Sequence, residues 1–367
     1  MKNNLTKLNF KLLNFLQEYK YALAIFLISR IIVFLTLYLT NSYNLGLGSL
    51  VQWDAQHYLS IAANGYVFNG QYLNEGSFIA FFPLYPMLVR ALYLITNLDI
   101  TGLAIALSFI FGTASAVLLY KIVNLWAGKD AAINSVFLLS FFPMSVFLSA
   151  PYTESLFIFL TLLTFWFIGR KNFLTAGIVI ALAIATRITG FVLLPILVLE
   201  LIINKKNFIY SLAATLVTVI PFAWFIYFQY LNYGTPFAFI IAQKINWHHE
   251  AVFPWVGLKN FMSYLSGNEI MWKVDFFFLL LMAITLIISA RHVGRNMWLF
   301  GWGVIILTLS QSFIVGLSRY MMLAIPFYFY WGKFFVKHTF VKQLVIIAMA
   351  SWMVFNTVLF VLSKSIF

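Results

Sequence analysis

The chain is a succession of apolar runs, most of them about as long as a bilayer is thick, broken by short gaps that hold most of its 23 lysines and arginines. A spanning helix needs roughly 20 mostly apolar residues, because backbone N–H and C=O groups inside hydrocarbon must pair within their own segment. Such runs lie near 19–41, 100–121, 131–149, 153–169, 173–186, 190–203, 207–231, 274–290, 296–315, 320–332 and 341–362, about eleven candidate spans. The 173–186, 190–203 and 320–332 runs are short for a full crossing and are expected to be tilted, broken or extended by neighbours. With 63% hydrophobic and 9% charged residues there is too little polar surface to cover a water-soluble globule. The expected fold is all-α, a polytopic transmembrane helix bundle forming a single integral membrane domain over 1–367.

The basic residues orient this bundle. Lys2, Lys7, Lys11 and Lys20 place the N-terminus in the cytoplasm, and strict alternation then gathers Lys121, Lys129, Arg170, Lys171, Lys205, Lys206, Arg291, Arg295, Lys333, Lys337 and Lys342 on the same side. A net charge of +13 arranged in this way reads as topology, and no nucleic-acid partner is expected. The first apolar run is too long for a signal-peptide core and is expected to stay as a span. The acids divide the other way. Asp54, Glu75, Asp99, Glu154, Glu250, Glu269 and Asp275 fall on the opposite face, against Glu18, Asp130 and Glu200 inside. Acids weigh little in topology, so this skew points to chemistry on the extracytoplasmic face. Two long loops lie there, 42–99 and 232–273, aromatic in composition and therefore expected to be ordered. The absence of cysteine excludes disulfides, thiolate catalysis and cysteine-ligated metals.

Four segments carry polar groups that chemistry needs. Val51–Tyr66 (VQWDAQHYLSIAANGY) reads as an interfacial helix, its apolar stripe on Val51, Ala55, Tyr58, Leu59 and Ala62 and its polar stripe on Trp53, Gln56, His57, Ser60 and Asn64. Asp54 lies at the border of the stripes, where a partly desolvated carboxylate either acts as a general base or simply caps the helix. In Ser77–Thr96, Pro83 and Pro86 are expected to form a rigid, non-helical entry to a second helix over Met87–Ile95, interfacial or re-entrant and too short to span. Phe141–Phe157 (FFPMSVFLSAPYTESLF) delivers Tyr152 and Glu154 to the same boundary, where Glu154 is either functional or a first-turn acid favoured by the helix dipole. Arg187 in ATRITG and Arg319 in GLSRY sit where positive charge is disfavoured. Each therefore snorkels or needs an anionic partner, either a carboxylate such as Asp54 or Glu154, or a phosphate that its planar fork grips with two hydrogen bonds. Arg30, in the middle of the first span, either pairs with a buried acid or lines a lipid-phosphate groove. His248 and His249 are adjacent and do not converge on a metal, and no HExxH, DxD, GxxxxGK or GxGxxG occurs, so no metal and no cofactor is expected.

The segments WDAQHYLSIAANGY, AFFPLYP, PMSVFLSAPYTESLF and ATRITG, in this order over residues 50–195, resemble the PIG-V-like family of mannosyltransferases of glycosylphosphatidylinositol (GPI) anchor assembly, within the GT-C superfamily. GTPFAFIIAQ with Trp247, and SRY followed by Pro326, extend the resemblance more loosely. It implies a GT-C-like fold and an inverting transfer of mannose from a polyprenyl-phosphate sugar donor to a lipid or glycan acceptor at the membrane. Asp54 is the catalytic residue on this resemblance. Arg319 and Arg187 would bind the donor phosphate, and Trp53, His57, Tyr152, Glu154, Gln243 and Trp247 would line the substrate pocket. Lysine- and asparagine-rich usage without an endoplasmic-reticulum retention signal reads as a prokaryotic plasma-membrane protein, so the acceptor does not transfer with the motif. The rivals are a GT-C enzyme for another lipid-linked sugar, and a transporter or flippase of lipid-linked intermediates. A transporter would place its polar residues at mid-membrane in matched halves rather than at one face.

Overall fold

The computed structural model describes residues 2–66 and 78–364. Glu75 and Ser77 lie outside the described residues, as do the side chains of Lys2, Lys7 and Lys11. The described chain is helical and has no β-strand beyond one isolated bridge between Ala251 and Gln311. In order the helices are α1 (Lys2–Thr40), α2 (Asp54–Asn64), α3 (Leu84–Thr96), α4 (Ile100–Ala127), α5 (Lys129–Ser140), α6 (Glu154–Gly169), α7 (Phe173–Thr186), α8 (Leu193–Ile203), α9 (Phe208–Tyr233), α10 (Ala238–Trp247), α11 (Pro254–Tyr264), α12 (Ile270–Ser289), α13 (Arg295–Leu309), α14 (Leu317–Met321), α15 (Pro326–Lys337) and α16 (Thr339–Val361). Among the described residues, five helices are long and apolar enough to cross a membrane: Leu13–Thr40 of α1, and α4, α9, α12 and α16. Helices α6, α7 and α13 are apolar but shorter.

Proline explains where the apolar runs part from helix. The 131–149 run is cut at Ser140 because Pro143 lacks an N–H and disfavours helical geometry at the residue before it. A 3-10 turn (Ser145–Leu148) follows, and α6 begins at Glu154. The 320–332 run divides into α14 and α15, with Pro326 at the start of α15. The 190–203 run begins with a 3-10 turn (Ile188–Val192) before α8, and Gly190 lies so close to α7 that a Cβ there would fall 2.5 Å from the Ala183 carbonyl carbon.

The centre of the bundle is built by α4 against α5 and α6, α6 against α7, α7 against α9, and α15 against α5. Lipid tails are as apolar as leucine, so close packing and interhelical hydrogen bonds hold such helices together. Between α5 and α15, Ser135 Oγ donates to the Tyr328 carbonyl at 2.8 Å and Asn134 Nδ2 to the Gly332 carbonyl at 3.1 Å. Arg30 is the strongest polar link. Its Nη2 donates to the Ser140 carbonyl (2.7 Å) and Ser145 Oγ (3.0 Å), its Nη1 to the Ser145 carbonyl (2.5 Å) and Ser149 Oγ (3.0 Å), and its Nε to Ser29 Oγ (3.2 Å). These use every N–H of a guanidinium. Neither a buried acid nor a lipid phosphate is its partner; Arg30 holds the carbonyls that the break in α5 leaves outside a regular helix.

The two long loops are ordered where described. In 42–99 the two expected helices are α2 and α3; α3 starts at Leu84, so Pro86 lies in its first turn, where its missing N–H costs nothing, rather than in a non-helical entry. Arg90 of α3 donates to the Ala62 (3.1 Å) and Ala63 (2.7 Å) carbonyls at the end of α2. In 232–273, α10 packs on the 78–80 turn and on α9, and α11 packs on α13.

Candidate functional site

Four charged side chains from four separated segments meet where α6 begins and α7 ends. Arg319 Nη1 donates to Asp54 Oδ2 at 3.1 Å, Arg319 Nε lies 3.4 Å from Glu154 Oε1, and the same oxygen accepts from Arg187 Nη1 at 2.5 Å. Arg187 also donates to Thr153 Oγ1 at 3.1 Å. The formal charges cancel. The Glu154 side chain is 1% exposed, while Asp54, at 26%, is the most accessible of the four. Removing one partner of a buried pair such as Arg187–Glu154 typically costs about 3–5 kcal/mol, so these charges hold one another in place. The guanidinium of Arg319 is also sandwiched by rings, with Phe147 at 5.2 Å, Tyr320 at 5.3 Å and Tyr152 at 5.4 Å from its carbon.

Local structure sets each group. Asp54 stands in the first turn of α2, but the cap position belongs to Trp53, and the Asp54 carboxylate takes a hydrogen bond from Arg319. Trp53 has φ +46° and ψ −116°, a conformation that costs a non-glycine residue about 1–3 kcal/mol and that clusters at functional sites. Glu154 occupies the first turn of α6, as its position in the sequence implies, and Arg187 the residue just after α7. Arg319 rides on α14, whose preceding Gly316 adopts φ +72°. The first amides of α14, from Leu317 and Ser318, donate at 3.0 and 2.9 Å to the two carboxylate oxygens of buried Asp275 in α12. Asp275 thus aims the helix that carries Arg319. Sequence reasoning placed Asp275 only by topology; a lone carboxylate leading the apolar stretch VDFFFLLL was the signal available.

An aromatic cluster adjoins the charges. His57 stacks on Phe81 (4.7 Å) and meets Trp247 (5.6 Å) and Phe78 (5.8 Å) edge-on. Burial holds the His57 imidazole below its ordinary value, with the Asp54 charge opposing, and burial likewise lowers His249. Gln243 is turned to His249, its Oε1 lying 3.1 Å from Nδ1. Two expected pocket residues are engaged within the protein. The Trp53 indole meets Phe360 of α16 edge-on at 5.1 Å, and the Tyr152 hydroxyl donates to the Gln52 carbonyl at 2.8 Å. Thr153, Tyr320 and His249 also border these groups; their segments are marked in the sequence, but these three residues are not singled out there as lining the site. Among the described residues no group of three or more His, Asp or Glu is placed to hold a metal. A fixed pair of arginines beside a partly exposed carboxylate can receive an anionic group and take a proton from a hydroxyl.

Comparison with known proteins bears on this geometry. A family model described as Mannosyltransferase (PIG-V) matches residues 8–344. GPI alpha-1,6-mannosyltransferase 2 of Cricetulus griseus is 31% identical over 214 residues, 52% of this chain and 42% of the relative. GPI mannosyltransferase 2 of Drosophila pseudoobscura pseudoobscura is 30% identical over 123 residues, 31% of this chain and 26% of the relative. The matches thus span less than half the length of these curated relatives. Among solved structures, ArnT from Cupriavidus metallidurans bound to undecaprenyl phosphate superposes with a TM-score of 0.57 at 15% identity, over 91% of this chain and 64% of that one, a likeness of fold.

Proposed function

Because the chain belongs to the mannosyltransferase (PIG-V) family, we propose that it is a membrane mannosyltransferase that takes its sugar from a polyprenyl-phosphate carrier and uses Asp54 as general base. The observation that carries this reading is the juxtaposition of a partly exposed Asp54 with Arg319, itself backed by Glu154 and Arg187. Asp54 removes the proton of an acceptor hydroxyl as that oxygen attacks the anomeric carbon, and the bond from that carbon to the phosphate oxygen breaks. The electron pair leaves with the polyprenyl phosphate. One displacement inverts the anomeric centre. Arg319 takes up the charge that develops on the departing phosphate, Arg187 serving beside it, and both are preorganised by Glu154. Support for a lipid-phosphate carrier comes from the ArnT structure, which holds undecaprenyl phosphate.

Asp54→Asn tests the base. Losing a positioned base typically costs ~10² to 10⁴ in rate, so transfer should nearly vanish while the protein still inserts and binds its lipid donor. Substantial transfer by the Asn variant would remove Asp54 from the chemistry and turn attention to Glu154. The skew of basic residues supports a site facing away from the cytoplasm. Gln56→Cys in this cysteine-free chain should react with an impermeant thiol reagent in intact cells; reaction only after permeabilisation would reverse the orientation.

A further inference from the structure

The turn that presents Asp54 is strained and is tied down from two distant parts of the chain. The Ala55 amide donates to the Gln52 carbonyl at 3.0 Å, and φ +46°, ψ −116° at Trp53 match the second position of a type II′ turn. Glycine usually fills that position, because a Cβ is crowded there. Here a tryptophan does. Its peptide is gripped by the Tyr152 hydroxyl, which donates to the same Gln52 carbonyl at 2.8 Å. Its ring is gripped by Phe360, which also packs on Phe147 (5.4 Å) and Tyr152 (6.4 Å). Ser363 Oγ adds a hydrogen bond to Gln52 Oε1 at 2.9 Å. Relaxing Trp53 to negative φ would rotate the Gln52–Trp53 peptide, pull its carbonyl off Tyr152 and swing Asp54 away from Arg319.

We propose that Tyr152 and Phe360 are positioning residues that hold the strained Gln52–Ala55 turn and so fix where the Asp54 carboxylate stands. Tyr152 lies two residues before Glu154, so the same segment sets both carboxylates against Arg319. The effect on rate rests on Asp54 being the base; the order of the turn does not.

The test uses the full-length protein with Ala55→Cys, which puts a thiol where the native side chain is fully buried in a chain without other cysteines. A small thiol reagent should label it slowly, and Tyr152→Phe, which removes only the hydroxyl, should raise the labelling rate several-fold. Phe360→Leu should act in the same direction. Without the added thiol, Tyr152→Phe should lower kcat roughly 10- to 100-fold, as a small misplacement of a reacting group does, and leave both KM values unchanged. Trp53→Gly removes the strain, so in that background the Tyr152→Phe effect on kcat should shrink to less than about twofold. Unchanged labelling, or a Tyr152→Phe loss that falls on KM and persists in full beside Trp53→Gly, would overturn the clamp and return Tyr152 to the substrate pocket. Faster labelling with kcat intact would uphold the clamp and instead remove Asp54 from the chemistry.

Discussion

Arg30 and Arg319 are both buried arginines in an apolar bundle, and they are satisfied in opposite ways. Arg30 is enclosed by neutral oxygens, two carbonyls and three hydroxyls, that take all its N–H groups. Arg319 is held by two carboxylates, one of which, Asp54, reaches solvent. A guanidinium saturated by neutral carbonyls and hydroxyls has nothing to exchange with a ligand and acts as a clamp. One paired with a partly exposed acid can share its charge with an incoming anion, since a phosphate and a carboxylate offer it the same two-pronged acceptor. The partner therefore separates the two roles; depth of burial does not.

Replacing the two arginines in turn should cost the protein different things. Arg30→Leu strands the Ser140 and Ser145 carbonyls, and unpaired buried polar groups cost about 1–3 kcal/mol each, so the folded yield should collapse. Arg319→Lys keeps a cation beside Asp54 and should leave folding nearly intact. Transfer should fall about 10-fold or more, because a point charge replaces a two-pronged donor to a charged group. Thermal unfolding in detergent with transfer measured per folded molecule checks both. A well-folded, inactive Arg30→Leu beside a misfolded Arg319→Lys would exchange their roles. A smaller effect concerns the aromatic cluster. Burial depresses His57, so the folded state favours the neutral ring and the contribution is constant above the unfolded value near 6.5. As pH falls through 6.5 the unfolded chain takes up the proton first and stability drops. His57→Phe should flatten that acid-side decline in melting temperature. An unchanged decline would take His57 out of the buried cluster.

Much of this was legible because the motifs are local and their chemistry is type-specific. The amphipathic period of Val51–Tyr66, the first-turn position of Glu154 and two arginines expected on a face poor in positive charge single out these residues as candidates, each with a structural alternative beside the functional one. Illegible were the choices that depend on which segments meet. Arg319 and Asp54 are 265 residues apart, and sequence alone left a phosphate, a carboxylate or snorkelling open for Arg319. The partners of Arg30 are two backbone carbonyls, which every residue has, and the hydroxyls of Ser29, Ser145 and Ser149, which in a helix more often turn back on their own carbonyls and so mark no ion site. Tyr152 reads as a pocket wall until its hydroxyl is seen on Gln52. Helix ends within apolar runs were blurred for a similar reason, since hydropathy does not change at Ser140 where the helix stops.

Whether this site transfers mannose from a lipid phosphate is decided by a donor comparison on the purified protein. Polyprenyl-phosphate mannose and a soluble nucleotide mannose are offered separately with the same membrane-extracted acceptor lipids, and the anomeric configuration of the product is read by NMR. Product is expected from the lipid donor alone, with the anomeric centre inverted and the reaction lost in Asp54→Asn. Equal transfer from the nucleotide sugar without the lipid carrier, or a product of retained configuration, would contradict this mechanism.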